Sequence, residues 1–344
     1  MKQIVECVPN FSEGRDERTI NAIAESIRTV GAVKLLSVEP DKDYNRTVVT
    51  FVGEPAAVVE AAYRATKSAA ELIDMQNHRG EHPRIGAVDV VPFVPVSNVT
   101  MEQCVQLAND YAKRVSADFK IPIYLYESAA RTPERRNLAT IRKGEYEGLA
   151  EKLHNPAWKP DYGSAEFNAK SGATVTGARR FLIAYNVNLD SPDATLAQEI
   201  AMRIRESGRQ LKNAAGEIIK NEKGEPVKVP GTLKAVKAMG VSLERFNIAQ
   251  VSINLVDYEM TPPHVAFEEV KKQALSLGCH ATGSEIVGLT PLNALLMAGK
   301  DFARLEEKKK SLTEKELVAL AIDKLGLSQL EPFDPAKKVI DYML

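Results

Sequence analysis

Two kinds of hydrophobic periodicity alternate along this chain, and their order constrains the fold more than any single motif. Gln3 to Val8 is a short apolar run closed by Pro9 and Asn10, the pattern of a strand entering a loop. Ile20, Ile23, Ala24, Ile27 and Val30 recur at helical spacing, with Gly31 as a stop. Ala32 to Val38 and the β-branched Arg46 to Val52 read as strands, joined as a hairpin by the polar stretch Glu39 to Asn45. Pro55 opens a second helix carrying Val58, Val59, Ala62, Ala65, Ala69, Leu72 and Ile73. Ala87 to Val96 is extended, but Pro92 and Pro95 push it towards an edge or a bulge. Strand, helix, strand, strand, helix, strand is the split βαβ, or ferredoxin-like, order. A capping box at Thr100 and Gln103 starts a further helix bearing Cys104, Leu107, Ala108, Tyr111 and Val115, and Ile121 to Tyr126 adds a strand.

The same order recurs downstream, without visible sequence repetition. Arg180 to Asn188, Leu233 to Val241, Ile248 to Tyr258 and Ala281 to Leu289 read as strands; Ala194 to Ser207 and Pro262 to Leu277 read as helices. With 344 residues, more than one core commonly holds, the expectation is an α+β protein of two ferredoxin-like subdomains, 1–178 and 179–344, with a ligand cleft or tunnel between them. Lys159 to Ala178 is rich in Gly, Ser, Asn and Ala with no clear period, which suggests a linker or a functional loop. Gln210 to Pro230 reads as an exposed excursion holding a small hairpin, and Leu312 to Leu325 as an amphipathic C-terminal helix.

Lys plus Arg is 45 against 46 for Asp plus Glu, so no global field favours nucleic acid or an anionic membrane. Cys7, Cys104 and Cys279 are odd in number and far apart, which fits reduced, buried thiols rather than a disulfide framework. Glu6 interrupts the N-terminus before a signal peptide could form, and no window is long enough to span a membrane. A cytoplasmic protein is the expectation.

The densest polar stretch, His78-Arg79-Gly80-Glu81-His82-Pro83-Arg84, contains the H-x-x-E-H spacing of a zinc hydrolase. That spacing needs a helix, and Gly80 and Pro83 make a poor one, so no metal site is expected. A solvated turn is the bland alternative. Against it, His82 sits in a loop beside a strand, where a scaffold can hold a proton-transfer group, with the polar Asn10 to Arg15 and Glu39 to Arg46 loops close in the expected topology. Gly172 to Arg180 combines small residues, hydroxyls and two guanidinium groups, either a tight turn or an anion-binding loop. There is no phosphate-binding fingerprint of the G-x-G-x-x-G or G-x-x-x-x-G-K-[ST] kind. Arg131, Arg135, Arg136, Arg142 and Lys143 suggest a solvated helical face, Trp158 and Phe167 ordinary packing, and His154, His264 and His280 structural roles.

Several of these stretches share a resemblance. Val5 to Gly14, Asn45-Arg46-Thr47, Gly80 to Arg84, Asp89 to Pro95, Gly172 to Arg179, Val251 to Leu255 and Leu325 to Leu327 run in order along nearly the whole chain and resemble the glutamate formimidoyltransferase family. The resemblance implies transfer of a formimidoyl group from N-formimidoyl-L-glutamate to tetrahydrofolate in histidine degradation, by a homodimer of the stand-alone form, without the fused cyclodeaminase of animal enzymes. It implies His82 as the catalytic histidine, and a folate-binding stretch over Gly163, Ser164, Ala165, Glu166, Phe167, Asn168, Ala169, Lys170, Ser171 and Gly172. Asn10, Arg46, Arg84, Thr174, Thr176 and Arg179 are further candidate binding residues, the arginines for carboxylates. Glu39 stands where the family has an aspartate, and either Glu39 or Glu81 would favour a protonated amidine. Alternatives are a zinc hydrolase, a non-catalytic folate-binding protein, or the same transferase with a formyl donor.

Overall fold

The computed structural model describes residues 2–211, 213, 216–306 and 312–344. They form two compact units, one ending at Arg180 and one running from Phe181 to Leu344.

The first unit is a seven-stranded sheet with three long helices on one face and, at its β5–β7–β6 end, two short ones on the other. Its elements are β1 Ile4–Cys7, β2 Asn10–Phe11, α1 Glu17–Arg28, β3 Val33–Asp41, β4 Arg46–Gly53, α2 Pro55–Leu72, β5 Val88–Ser97, α3 Met101–Phe119, β6 Ile123–Glu127, α4 Leu138–Arg142, α5 Leu149–His154 and β7 Thr174–Ala178. β1 and β2 are two pieces of one line, broken at Val8 and Pro9, that lies between β4 and β5. Across the sheet the order is β3, β4, β1 with β2, β5, β7, β6, antiparallel as far as β5 and parallel beyond it.

Local chemistry sets the helix starts. Asp16 accepts from the Arg18 N–H at the head of α1, and Thr100 and Gln103 close the expected capping box on α3. Val5, Cys7, Phe51 and Phe93 alternate onto one face of the sheet, where they pack against Ile23, Ile27, Ala62, Ala65, Cys104, Ala108 and Tyr111. Each fully buried Phe there contributes about 2–3 kcal/mol. All three cysteines are free and buried.

Two sequence expectations need correction here. The Pro-containing strand is central, paired on both sides, not at an edge. Pro92 is tolerated because its carbonyl takes the Val8 N–H at 3.4 Å, so its missing donor faces the break at Pro9. Pro95 lies beside the register shift at Ile4 and Val5, the bulge that the prolines also allowed. The second correction is that Lys159 to Ala178 is not wholly loop, since its last five residues form β7 between β5 and β6. A short strand buried on both faces shows no polar alternation, so it left no period to read.

The second unit has four antiparallel strands, β8 Ile183–Leu189, β11 Val236–Leu243, β12 Ile248–Leu255 and β13 Ala281–Val287, in the spatial order β11, β12, β8, β13. The helices α6 Ala194–Ile204 and α7 Pro263–Ser276 connect them, and α8 Leu292–Leu305, α9 Glu314–Leu325 and α10 Pro335–Lys338 follow. α8 lies where the sequence suggested no element; α9 is the expected C-terminal helix, opened by a Thr313–Glu316 capping box. The core joins Tyr185, Val187, Ile200, Val251, Ile253, Val270, Leu295 and Val318. The Gln210 to Pro230 excursion carries the two-residue strands β9 Arg209–Gln210 and β10 Lys228–Val229, paired as a hairpin; its residues 212, 214 and 215 lie outside the described residues. Among the described residues no helix is long and apolar enough to cross a membrane.

Candidate active site

Cross-strand register in the first unit collects polar residues on the face opposite α1, α2 and α3. Glu39 stands beside Val48, Val48 beside Asn10, and Asn10 beside Val90, in one row. Arg46 lies two residues from Val48 on the same face, next to Asp41. A parallel row runs from Val52 through Glu6 to Val94, and Arg179 follows Ala178, the partner of Phe93. Glu39, Asn10, Arg46, Glu6 and Arg179 therefore share one surface, although they span the whole first unit in sequence.

The loop bearing His82 is tied to this surface by Asn45. The Asn45 Oδ1 accepts the Gly14 N–H at 2.9 Å, its Nδ2 donates to the Arg79 carbonyl at 2.9 Å, and its own carbonyl accepts from His78 Nε2 at 3.0 Å. One side chain thus staples three loops. A Cβ at Gly80 would lie 2.4 Å from the Tyr44 carbonyl oxygen, so only glycine allows the hairpin and histidine loops to approach this closely.

His82 is half-buried and meets one group of the sheet, Arg46, and one of the hairpin, Tyr44. Arg46 Nη1 donates to its Nε2 at 3.0 Å and reaches Asn10 Oδ1 at 3.4 Å, while the Tyr44 ring meets the imidazole edge-on at 6.2 Å. A guanidinium has no lone pair to give, so His82 Nε2 must be the acceptor and the ring is neutral. Burial, and then the positive charges of Arg46, Arg142, Arg84 and His78, push its pKa down to about 3.

The flanking groups are braced. Arg84 is 4% exposed and forms ion pairs with Glu145 at 3.0 Å and Glu147 at 2.7 Å; these hold its pKa above the usual value. Its Nε donates to His78 Nδ1 at 3.2 Å, so His78 carries its proton on Nε2 and gives it to Asn45. Both ring nitrogens of His78 are committed to protein partners, and the H-x-x-E-H spacing does not converge as a ligand set. Arg84 is also committed, which weakens it as a free carboxylate binder.

Arg135 and Arg142 depart from the solvated face that their sequence suggested, whereas Arg131, Arg136 and Lys143 are exposed as expected. Arg135 is buried, in ion pair with Asp161 at 2.7 Å, and Arg142 pairs with the buried Asp89, whose other oxygen accepts the Ile85 N–H at 2.9 Å. Their pattern on short helical turns hid the fact that each reaches inward to a carboxylate far away in sequence. His280 is exposed and pairs with Asp190 at 2.9 Å, while His264 is buried with Nδ1 unpartnered among the described residues. A buried acid on this face that the sequence did not single out as a site residue is Glu6. It is 2% exposed, and burial, against the pull of Arg179, holds its pKa up at about 7. The only signal was one acid inside an otherwise apolar strand.

Comparison with known proteins bears directly on this site. Residues 4–179 match the model of the formiminotransferase domain, N-terminal subdomain, and residues 184–344 match that of the formiminotransferase domain. The glutamate formimidoyltransferase of Streptococcus pyogenes serotype M1 is 41% identical over 89% of this chain and 95% of its own. That of Thermoplasma acidophilum is 44% identical over 88% of this chain and 93% of its own. The chain belongs to the formiminotransferase family. The formimidoyltransferase-cyclodeaminase of Dictyostelium discoideum is 50% identical over the whole chain, and the chain spans 61% of that relative's length.

In this formiminotransferase chain the Gly163 to Gly172 stretch is mostly an exposed loop, with Gly163 and Gly172 at positive φ. Ser164, Ala165, Glu166 and Phe167 are exposed, and Phe167 packs on Tyr146 with ring centroids 5.6 Å apart. Asn168 accepts from the Ser171 N–H, Lys170 accepts from Met75 through its carbonyl, and Tyr146 donates to the Ala169 carbonyl. Thr174 and Thr176 alternate in register with Ala178, which belongs to the helix-covered core, and Thr176 donates to the Val91 carbonyl. These two threonines are buried on the opposite face from Arg46 and Arg179 and are not brought to His82. Glu39 shares the face of Arg46 without a hydrogen bond to His82, and Glu81 is exposed.

Proposed function

We propose that this protein transfers the formimidoyl group of N-formimidoyl-L-glutamate to N5 of tetrahydrofolate, releasing L-glutamate, as a step of histidine degradation. The observation that carries the reading is the neutral imidazole of His82 held by Arg46, in a chain that matches formiminotransferase models over both halves. The strand order of the second unit, and of the first as far as β5, supports ferredoxin-like subdomains. Tetrahydrofolate acts as a co-substrate, and the resemblance extends the reading to a homodimer.

The donor carbon is electrophilic when its amidine is protonated. Attack by N5 forms the N5–C bond and gives a tetrahedral centre bearing two nitrogens from the donor. His82 takes the N5 proton as that bond forms. It returns the proton to the glutamate nitrogen as the C–N bond to glutamate breaks, so the amine leaves neutral and the imidazole ends as it began. Glu39 lies on the same face to favour the amidinium, and Arg46 and Arg179 provide guanidinium groups for carboxylates.

A spectroscopic turnover assay offering tetrahydrofolate with N-formimidoyl-L-glutamate or N-formyl-L-glutamate tests the reading. Consumption of the formimidoyl donor with release of glutamate is expected. Folate binding with neither donor consumed would remove it, and preference for the formyl donor would reassign the group transferred.

A further inference from the structure

Arg46 stands out among the guanidinium groups next to His82. Arg84 and Arg142 each have a carboxylate partner, whereas Arg46 has none within ion-pair distance among the described residues. Asp41 and Asp89 act on it only at longer range, its Nε is buried without a partner, and its bond to Asn10 is long. A half-buried guanidinium so placed is poorly compensated, and a carboxylate is the group that fits its fork. What it holds instead is the Nε2 lone pair of His82, at 3.0 Å.

That lone pair is the one a base must offer. We infer that Arg46 is a latch on His82: a carboxylate of the bound substrates draws its guanidinium away from Nε2 and uncovers the site that takes the N5 proton. The inference rests on the formimidoyl-transfer reading and deepens it, making Arg46 a positioning residue that couples occupancy to base strength. No proton moves in this step; one N–H···N hydrogen bond is exchanged for N–H···O⁻ bonds.

The surroundings act in the same direction. The charged and titratable groups around the ring are Arg46 on β4, Arg142 on α4, Arg84 and His78 in its own loop and Tyr44 in the hairpin. Asp41 and Asp89 lie beyond the arginines. The cations oppose an imidazolium, so a bare site protects a neutral but covered base, and an incoming anion both uncovers it and makes its protonated form affordable.

Histidine titration followed by NMR in protein labelled with 15N-histidine tests this, with the His82 signal assigned by its loss in His82→Gln. The probes are N-acetyl-L-glutamate, which has both donor carboxylates but no transferable group, and folic acid, whose N5 is not nucleophilic. In the free protein His82 should stay neutral below pH 5. Either probe should raise its midpoint by about one pH unit or more, and the probe that does so identifies the carboxylate. Arg46→Gln should raise the free-protein midpoint and abolish the further rise on binding, and Arg46→Lys should keep part of it. Correspondingly, the acidic limb of kcat should lie at higher pH than that of kcat/KM. An unchanged free-protein midpoint in Arg46→Gln, or a wild-type midpoint that neither probe moves, overturns the latch. These titrations need no turnover, so absence of transfer in the wild-type assay would count against the proposed function and not against the Arg46–His82 coupling.

Discussion

Glu6 on β1 and Arg179 just beyond β7 lie on either side of β5, on the sheet face opposite α1, α2 and α3. The pairing does not fully compensate the carboxyl, because burial outweighs the guanidinium's pull and raises the pKa from 4.5 to about 7. In the unfolded chain Glu6 ionises first, so native stability from this group falls as pH rises from about 4.5 to 7 and is level above that.

Glu6→Gln should therefore be more stable than wild type at pH 8, by up to about 3 kcal/mol, with the gain shrinking to nothing near pH 4.5. Urea unfolding at both pH values checks this. A gain that is equal at the two would show that the carboxyl is not held neutral.

His82→Ala should lower turnover by about 10²–10⁴-fold while changing folate affinity little, since the imidazole serves proton transfer rather than binding. Steady-state kinetics with equilibrium folate binding measures both. Wild-type turnover would remove His82 from the chemistry.

Asp89→Ala should cost about 3–5 kcal/mol, because it leaves the Arg142 guanidinium without its carboxylate and the Ile85 N–H without its acceptor. Asp89→Leu combined with Arg142→Met should recover much of that loss, as buried ion pairs replaced by apolar groups commonly do. Thermal unfolding of the single and double variants separates the two cases.

Gly172→Ala should destabilise the chain by at least about 1–2 kcal/mol. Gly172 sits at φ +65°, and a Cβ there would lie 2.2 Å from the Ile85 carbonyl oxygen, a backbone atom that cannot swing aside. Loss of protection at the Ala173 N–H, which bonds Ile85, would be the local sign in hydrogen exchange.

Much of the element order was legible because it depends on short-range patterns. Ile20, Ile23, Ala24 and Ile27 mark α1 by spacing, and Thr100 with Gln103 marks the start of α3 by a contact within one turn. β7 was not legible, since Thr174 to Ala178 is buried on both faces and alternates nothing visible. The centrality of β5 was hidden by two prolines whose missing donors are excused only by a break and a bulge in the neighbouring strand.

The site divides along the same line. Sequence alone determined which residue types were present for chemistry: one loop histidine before a proline, arginines, and an acid within an apolar run. Only the tertiary structure decided which of them act together. Arg142 turned inward to Asp89, Arg84 was taken by Glu145 and Glu147, and Arg46 was left facing His82 with no carboxylate in ion-pair range among the described residues. The physical reason is that periodicity and capping are set by neighbours a few residues apart, whereas charge compensation is set by tertiary contacts between loops, helices and strands distant in sequence, which no local pattern encodes.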